Sequence, residues 1–217
     1  SASICPTEAC PVLTPPLEQA LGRLATSLRE QDEGAEFEMV AGAGETVRLV
    51  RLDRSSNTSG DLGQAITVEA GGESLRLSPG VFLQSNGALF DELIDAVERA
   101  AKFEKTAPSL GVELFAGAGF LTRRLAGLFD RMVAVESDET AAKDLAFNVD
   151  ALNLRNVEIA HSSAEQFVRQ EPRMRADVVI VDPPRTGLGA EVVSALAEMA
   201  GEKIVYLSCD PATLARD

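Results

Sequence analysis

Four short stretches of the chain carry residue types suited to chemistry. In IVYLSCDPATLARD, Cys209 directly precedes Asp210 and Pro211, a pair that reads as a helix start with aspartate as N-cap and proline as first residue. A cysteine beside a helix N-terminus has a lowered thiol pKa and a larger thiolate fraction, which suits Cys209 to be a nucleophile. The competing reading is a buried structural cysteine, against which Asp210 and the helix start both argue. In VVIVDPPRTGLG, consecutive prolines stiffen the loop after an apolar run and hold Asp182 where a strand ends; the plainer alternative is a stiff entry into a helix. In VELFAGAGF, Gly117 and Gly119 allow a tight turn and close approach of backbone to a ligand at a helix N-terminus, as a nucleotide-like cofactor requires. Glu136, ending MVAVE, is an acid placed to accept hydrogen bonds from both hydroxyls of a cofactor ribose. A dinucleotide fingerprint would need glycine where Thr122 stands, which argues against nicotinamide.

These residues need a scaffold that gathers them. Short branched apolar runs, Leu110 to Phe115, Met132 to Val135, Val157 to Ala160, Val178 to Val181 and Ile204 to Leu207, alternate with helical stretches at Gly119 to Leu128, Glu139 to Leu152, Ala164 to Gln170 and Ala190 to Met199. That alternation predicts a doubly wound α/β fold, a mostly parallel sheet with helices on both faces and its ligands at the carboxyl ends of the strands. A helix over Gly87 to Lys102 precedes it. Before Ser78 the pattern differs: a proline-led helix carries Leu17, Leu21, Leu24 and Leu28 on one face, and short β segments follow at Glu36 to Val40, Thr46 to Leu52, Ala65 to Glu69 and Ser74 to Leu77. The expected division is therefore a small helix-plus-β lobe over 1–77 and an α/β domain over 78–217. The SSNTSGD stretch reads either as a mobile loop or as a junction where residues have been left out. The helix begun at Asp210 has less than two turns before Asp217, so the chain is expected to be a fragment with further C-terminal strands missing.

Composition narrows the function classes. With 45% hydrophobic and 25% charged residues, the 217-residue chain is a globular one. Lys and Arg number 20 against 34 Asp and Glu, so any contact with nucleic acid must be local, not a broad electrostatic attraction. Three cysteines are too few for a disulfide framework, and neither a signal peptide nor a long apolar span is seen, so the cytoplasm is expected and a membrane function is not. One histidine, His161, excludes multi-histidine metal sites and is expected to serve structure or surface only.

Taken in order, SPGVFLQSN, ELFAGAGF, Glu136, DPPR and above all SCDPATLARD resemble the S-adenosylmethionine-dependent RNA uracil-5-methyltransferases, the TrmA/RumA-like family, over nearly the whole chain. The form SC-x-PATLARD is similar to the ribosomal-RNA branch more than to the transfer-RNA branch. The resemblance implies a class I methyltransferase domain that methylates C5 of uridine in RNA, with ribosomal RNA as the expected partner; separately, a monomer is expected. It implies Cys209 as the nucleophile on C6; Gln84, Phe115, Gly117, Gly119, Glu136 and Asp182 around S-adenosylmethionine; and Arg185 toward the base or a phosphate. The family's general base, a glutamate, would lie beyond Asp217. Some members hold an iron–sulfur cluster through four cysteines, and Cys10 resembles the last of these ligands, with the others upstream; Cys5 does not match, and three thiols hold no complete cluster. Two positions depart from the family: Phe120 stands where relatives often have Asn, and Ser163 where an amide is common.

The basic residues Arg48, Arg51 and Arg54, Arg123 and Arg124, and Arg169, Arg173 and Arg175 are the local candidates for RNA contact, against the simpler view that each group is a solvated face. Two rival functions stay open at this level. One is an amino-group methyltransferase that works through DPPR with Cys209 as bystander; the other is a non-catalytic cofactor- or RNA-binding module.

Overall fold

The computed structural model describes residues 10, 12–27, 36–52, 65–84, 86–104 and 109–217. The expectations for Cys5, Arg54 and the SSNTSGD stretch lie outside them. The chain divides into two compact units, Ser1–Glu69 with Leu77–Gly80, and Ala70–Arg76 with Val81–Asp217.

In the first unit, helix α1 (Pro15–Ser27) packs on β1 (Glu36–Ala41) and β2 (Val47–Leu52), which pair antiparallel from Glu36 opposite Leu52 to Ala41 opposite Val47. Arg48 is buried here, and its Nη2 donates to Glu38 Oε1 at 2.7 Å and its Nη1 to the Leu77 carbonyl at 2.8 Å, so its charge is paired within the unit. Strands β3 (Ile66–Ala70) and β4 (Glu73–Leu77) form a two-stranded sheet that turns at Gly71 and Gly72, both at positive φ.

The second unit holds the parallel sheet, with α2 (Phe90–Ala101) preceding β5 (Leu110–Leu114), β6 (Arg131–Glu136), β7 (Val157–His161), β8 (Ala176–Val181) and β9 (Ala200–Tyr206). Strand order is β7-β6-β5-β8-β9, every pairing parallel. The chain winds outward from β5 to β7, then returns to the other side of β5, so the topological switch point lies between β5 and β8. Period-two alternation sends Val112, Leu114, Val133, Val135, Val179 and Val181 to one face, where α5 (Ala164–Gln170) and α6 (Ala190–Met199) supply Phe167, Val168, Val192 and Leu196. Ala134 and Ile159 point to the opposite face and meet Leu145 of α4 (Glu139–Ala151). This is the doubly wound α/β arrangement that the alternating apolar runs call for.

Two elements differ from their sequence reading. The helix expected over Gly119 to Leu128 is reduced to α3 (Thr122–Leu125) and a 3₁₀ turn at Ala126–Leu128, because Gly117 and Gly119 take φ of +57° and +91°, which no α-helix admits. Strand β9 starts four residues before its apolar run, at Ala200. It ends the sheet among the described residues, and Gly201–Ile204 are exposed, so its first half lacks the apolar signature of a buried strand.

Candidate functional site

The carboxyl ends of β5 and β8, on either side of the switch point, carry the glycine-rich and DPPR loops. After Leu114 the backbone enters the left-handed region at Phe115 (φ +64°), a conformation that costs a non-glycine residue about 1–3 kcal/mol and that clusters at functional sites. The Ala116 N–H donates to the Val135 carbonyl at 3.0 Å and the Gly119 N–H to the Ala116 carbonyl at 2.9 Å, which closes the loop against the neighbouring strand. A Cβ at Gly119 would stand 2.9 Å from Leu145 Cδ1, so glycine is needed there for close packing as well as for φ. At Gly117 an added Cβ meets nothing within 4 Å: the backbone here faces open space that a ligand can enter.

Glu136 ties this loop to β6. Its Oε2 accepts the Gly117 N–H at 2.8 Å, and its Oε1 accepts the N–H groups of Ser137 and Asp138, both at 2.7 Å. A carboxylate has about four acceptor positions, so Oε2 keeps capacity for a further donor such as a ribose hydroxyl. Asp138 then caps α4, its Oδ1 accepting from Ala141 N at 2.8 Å.

Across the switch point, Gln84 Nε2 donates to Asp182 Oδ2 at 3.1 Å. Burial pushes the Asp182 carboxyl above its ordinary value, and the Gln84 hydrogen bond works against that shift. Gln84, Phe115, Gly117 and Asp182 line one pocket together with Phe82, Leu83, Phe120 and Leu121. Phe120 thus contributes an apolar wall.

Glu113 lines the same pocket, and the sequence reading assigned it no role. Its side chain leaves β5 on the face opposite Val112 and Leu114, is 2% exposed, and accepts the Thr122 hydroxyl at 2.7 Å. Burial raises its pKa to about 8; the Thr122 bond opposes this, and the nearby Asp182 and Glu136 charges add to it. The signal was present: one acid interrupts an otherwise apolar parallel strand, a place where ionisable side chains are rare.

The remaining two candidates sit at the same end of the sheet but outside that pocket. Cys209 is exposed in the turn between β9 and α7 (Pro211–Arg216). The Leu207 N–H donates to the Val181 carbonyl at 2.9 Å, which sets the cysteine turn beside the loop that starts at Asp182. Ser208 Oγ accepts the Asp210 N–H at 3.1 Å and donates to the Asp210 carbonyl at 2.8 Å, while Asp210 Oδ1 caps α7 by accepting from Ala212 N at 2.8 Å, the N-cap expected from sequence. The cysteine therefore sits between two residues locked by hydrogen bonds. Arg185 is exposed on the DPPR loop.

Most of the arginines proposed as RNA contacts are engaged internally. Arg123 is buried, donating to the Ala70 carbonyl and to Glu73; Arg124 pairs with Glu98 at 2.8 Å; Arg169 makes a two-point pair with Glu191 at 2.5 Å. Arg173 and Arg175, before β8, are exposed. Ser163 caps α5 in a capping box with Gln166, so its hydroxyl is committed to the helix. His161 is exposed, with Nε2 placed 3.2 Å from the Ser137 carbonyl. Cys10 is a free, half-buried thiol, and among the described residues no three or more His, Cys, Asp or Glu side chains gather as a metal site. No helix among the described residues is long and apolar enough to cross a membrane.

A family model described as tRNA (Uracil-5-)-methyltransferase matches residues 56–217. Among curated proteins, an uncharacterized RNA methyltransferase of Thermotoga maritima is 35% identical over 145 residues, covering 67% of this chain and 32% of its own length. A protein of the same description from Clostridium tetani is 39% identical over 107 residues, covering 48% of this chain and 23% of its own. The chain thus spans about a third or less of the length of the curated relatives it matches. Among solved structures, the Pyrococcus abyssi tRNA (uracil-54, C5)-methyltransferase in complex with S-adenosyl-L-homocysteine aligns with a TM-score of 0.75 at 22% identity, covering 99% of this chain and 63% of that one, which supports the fold.

Proposed function

This chain belongs to the tRNA (uracil-5-)methyltransferase family, and from that premise we propose that it carries the catalytic face of an S-adenosylmethionine-dependent enzyme methylating C5 of uridine in RNA. The observation that carries the reading is the placement of an exposed cysteine turn directly beside the Asp182 loop, next to a pocket built from Gln84, Phe115, Gly117 and Asp182.

The pocket residues fit the cofactor. Glu136 is the acceptor for the ribose, Gly117 the open backbone at the loop, and Asp182 with Gln84 a polar pair at the pocket edge. Bound there, S-adenosylmethionine supplies an electrophilic methyl group. Uracil C5 is a poor nucleophile, and the role of Cys209 is to change that: its thiolate adds to C6 and builds electron density at C5. After methylation a general base removes the C5 proton and the Cys209 sulfur departs, restoring the C5–C6 double bond. The exposure of Cys209 suits a nucleotide presented out of its stack, since C6 must meet the sulfur face-on. Arg185, exposed on the adjacent loop, is the donor for the base or a phosphate. The setting is the cytoplasm, and an iron–sulfur cluster belongs only to a longer protein with cysteines upstream of Cys10.

The SCDPATLARD segment favours ribosomal RNA as substrate. The family description and the Pyrococcus abyssi relative name tRNA, and this is the second reading. Both are tested by incubating the protein and S-adenosylmethionine with 5-fluorouridine-containing ribosomal or transfer RNA and searching for a covalent adduct by intact mass. The expected result is an adduct with ribosomal RNA that is absent in Cys209→Ala; an adduct with transfer RNA alone reverses the substrate choice. Methyl transfer to RNA that survives Cys209→Ala would overturn the covalent mechanism and favour amino-group methylation.

A further inference from the structure

Two residues at the end of α7 reach back to the DPPR loop. Asp217 Oδ2 accepts the Leu188 N–H at 2.6 Å and the Tyr206 hydroxyl at 2.7 Å. Arg216 Nη2 donates to the Thr186 carbonyl at 2.8 Å and pairs with Asp217 Oδ1 at 2.6 Å. Between them lies Gly187, at φ +71°, its N–H donating to the Pro184 carbonyl at 2.8 Å. A Cβ there would stand 2.5 Å from Asp217 Oδ2 and 2.6 Å from Arg216 Nη2, so the loop backbone lies directly against this pair.

The connectivity gives the cluster its significance. Tyr206 ends β9, three residues before Cys209; Asp210 caps α7; Arg216 and Asp217 end it. The cysteine turn and the DPPR loop are therefore joined twice, at the base through Leu207 N–H to the Val181 carbonyl and farther out through Asp217. Burial and the adjacent Asp217 push the Tyr206 phenol up to about 12, while the Leu188 N–H and then Arg216 hold the Asp217 carboxyl below its ordinary value. Tyr206 is thus a proton donor and Asp217 an ionised acceptor across the neutral range.

We propose that Asp217, with Tyr206 and Arg216, is a positioning residue that holds the Pro184–Leu188 loop against the turn bearing Cys209, setting Arg185 and the nucleophile in register. The inference rests on the function proposed above. Displacement of a reacting group by about 1 Å costs on the order of a hundredfold in rate, so a tie that fixes two loops has a kinetic consequence beyond its stability.

The test uses the full chain, with hydrogen exchange at the Leu188 and Gly187 amides read beside single-turnover methyl transfer to RNA at saturating S-adenosylmethionine. Asp217→Ala is expected to speed exchange at Leu188 and slow the chemical step, each by about tenfold or more, with S-adenosylmethionine affinity kept within about twofold. Asp217→Asn keeps an oxygen for the Leu188 and Tyr206 donors but turns its amide NH2 toward Arg216, so it is expected to recover only part of the rate, between Asp217→Ala and wild type. Faster exchange with an unchanged chemical step, or a loss that Asn does not restore even in part, overturns the positioning role. Unchanged exchange overturns the latch itself. A wild-type chain that transfers no methyl to uridine, whether released or still held on Cys209, overturns the proposed function and this role with it, whereas an active wild type matched in rate by Asp217→Ala overturns the positioning role alone.

Discussion

The two halves of the sheet's carboxyl rim differ in how far they are exposed. The half formed by β5 and β6 is buried: the Glu136 carboxylate gathers three main-chain N–H groups, and Gly119 packs against Leu145 with no room for a methyl. In the half formed by β8 and β9, Cys209 and Arg185 are exposed, and side chains at the end of α7 hold their loops. On the function proposed above, the first half would hold a small cofactor in a largely pre-formed pocket, and the second would leave its reacting atom open to a nucleic acid. Stability and chemistry are therefore expected to separate between the halves.

The sharpest way to break that contrast is Glu136→Ala. It strands buried donors in the first half and is expected to cost about 2–3 kcal/mol of stability and to weaken S-adenosylmethionine binding at least about tenfold, measured by denaturation and calorimetric titration. An unchanged unfolding midpoint would refute the description of this half as buried and held by the Glu136 carboxylate. Gly119→Ala forces a Cβ to 2.9 Å from Leu145 Cδ1 at φ +91°, and about 1–3 kcal/mol of destabilisation is expected by thermal melting.

Glu113 sharpens the comparison through pH. Its folded pKa, about 8, lies above the ordinary 4.5, so between these values the folded chain holds a proton that the unfolded chain has released. This group's contribution is fully present below about 4.5, and it is lost as pH rises through the window to about 8. Glu113→Gln is expected to flatten that part of the melting profile; an unaltered slope would show that Glu113 is ionised in the fold. The smallest effect belongs to the exposed half, where Cys209→Ala is expected to shift stability by no more than about 0.5 kcal/mol while abolishing the uracil adduct.

Much of this was legible without coordinates. Five branched apolar runs separated by helical periods specify a parallel sheet, since only strands covered on both faces are apolar throughout. Gly117, Gly119, Glu136, Asp182 and the Asp210 cap announce themselves because each is a residue type whose local backbone or acceptor chemistry is specific at that position. Other features were hidden for stated reasons. Strand β9 begins in polar, exposed residues that give no burial signal, and the arginines of the basic clusters read as free charges until the acids paired with Arg123, Arg124 and Arg169 come into view.

The sequence by itself therefore determined the class of fold and the carboxyl rim at which the glycine, carboxylate and cysteine loops lie, because periodicity and turn chemistry are local. Only the tertiary structure decided that Glu113 is a buried acid at the pocket, that Gln84 meets Asp182 across 98 residues of chain, and that Asp217 ties the cysteine turn to the DPPR loop. Burial, charge pairing and long-range hydrogen bonds depend on which segments the sheet order makes neighbours, and that order is a property of the packed whole.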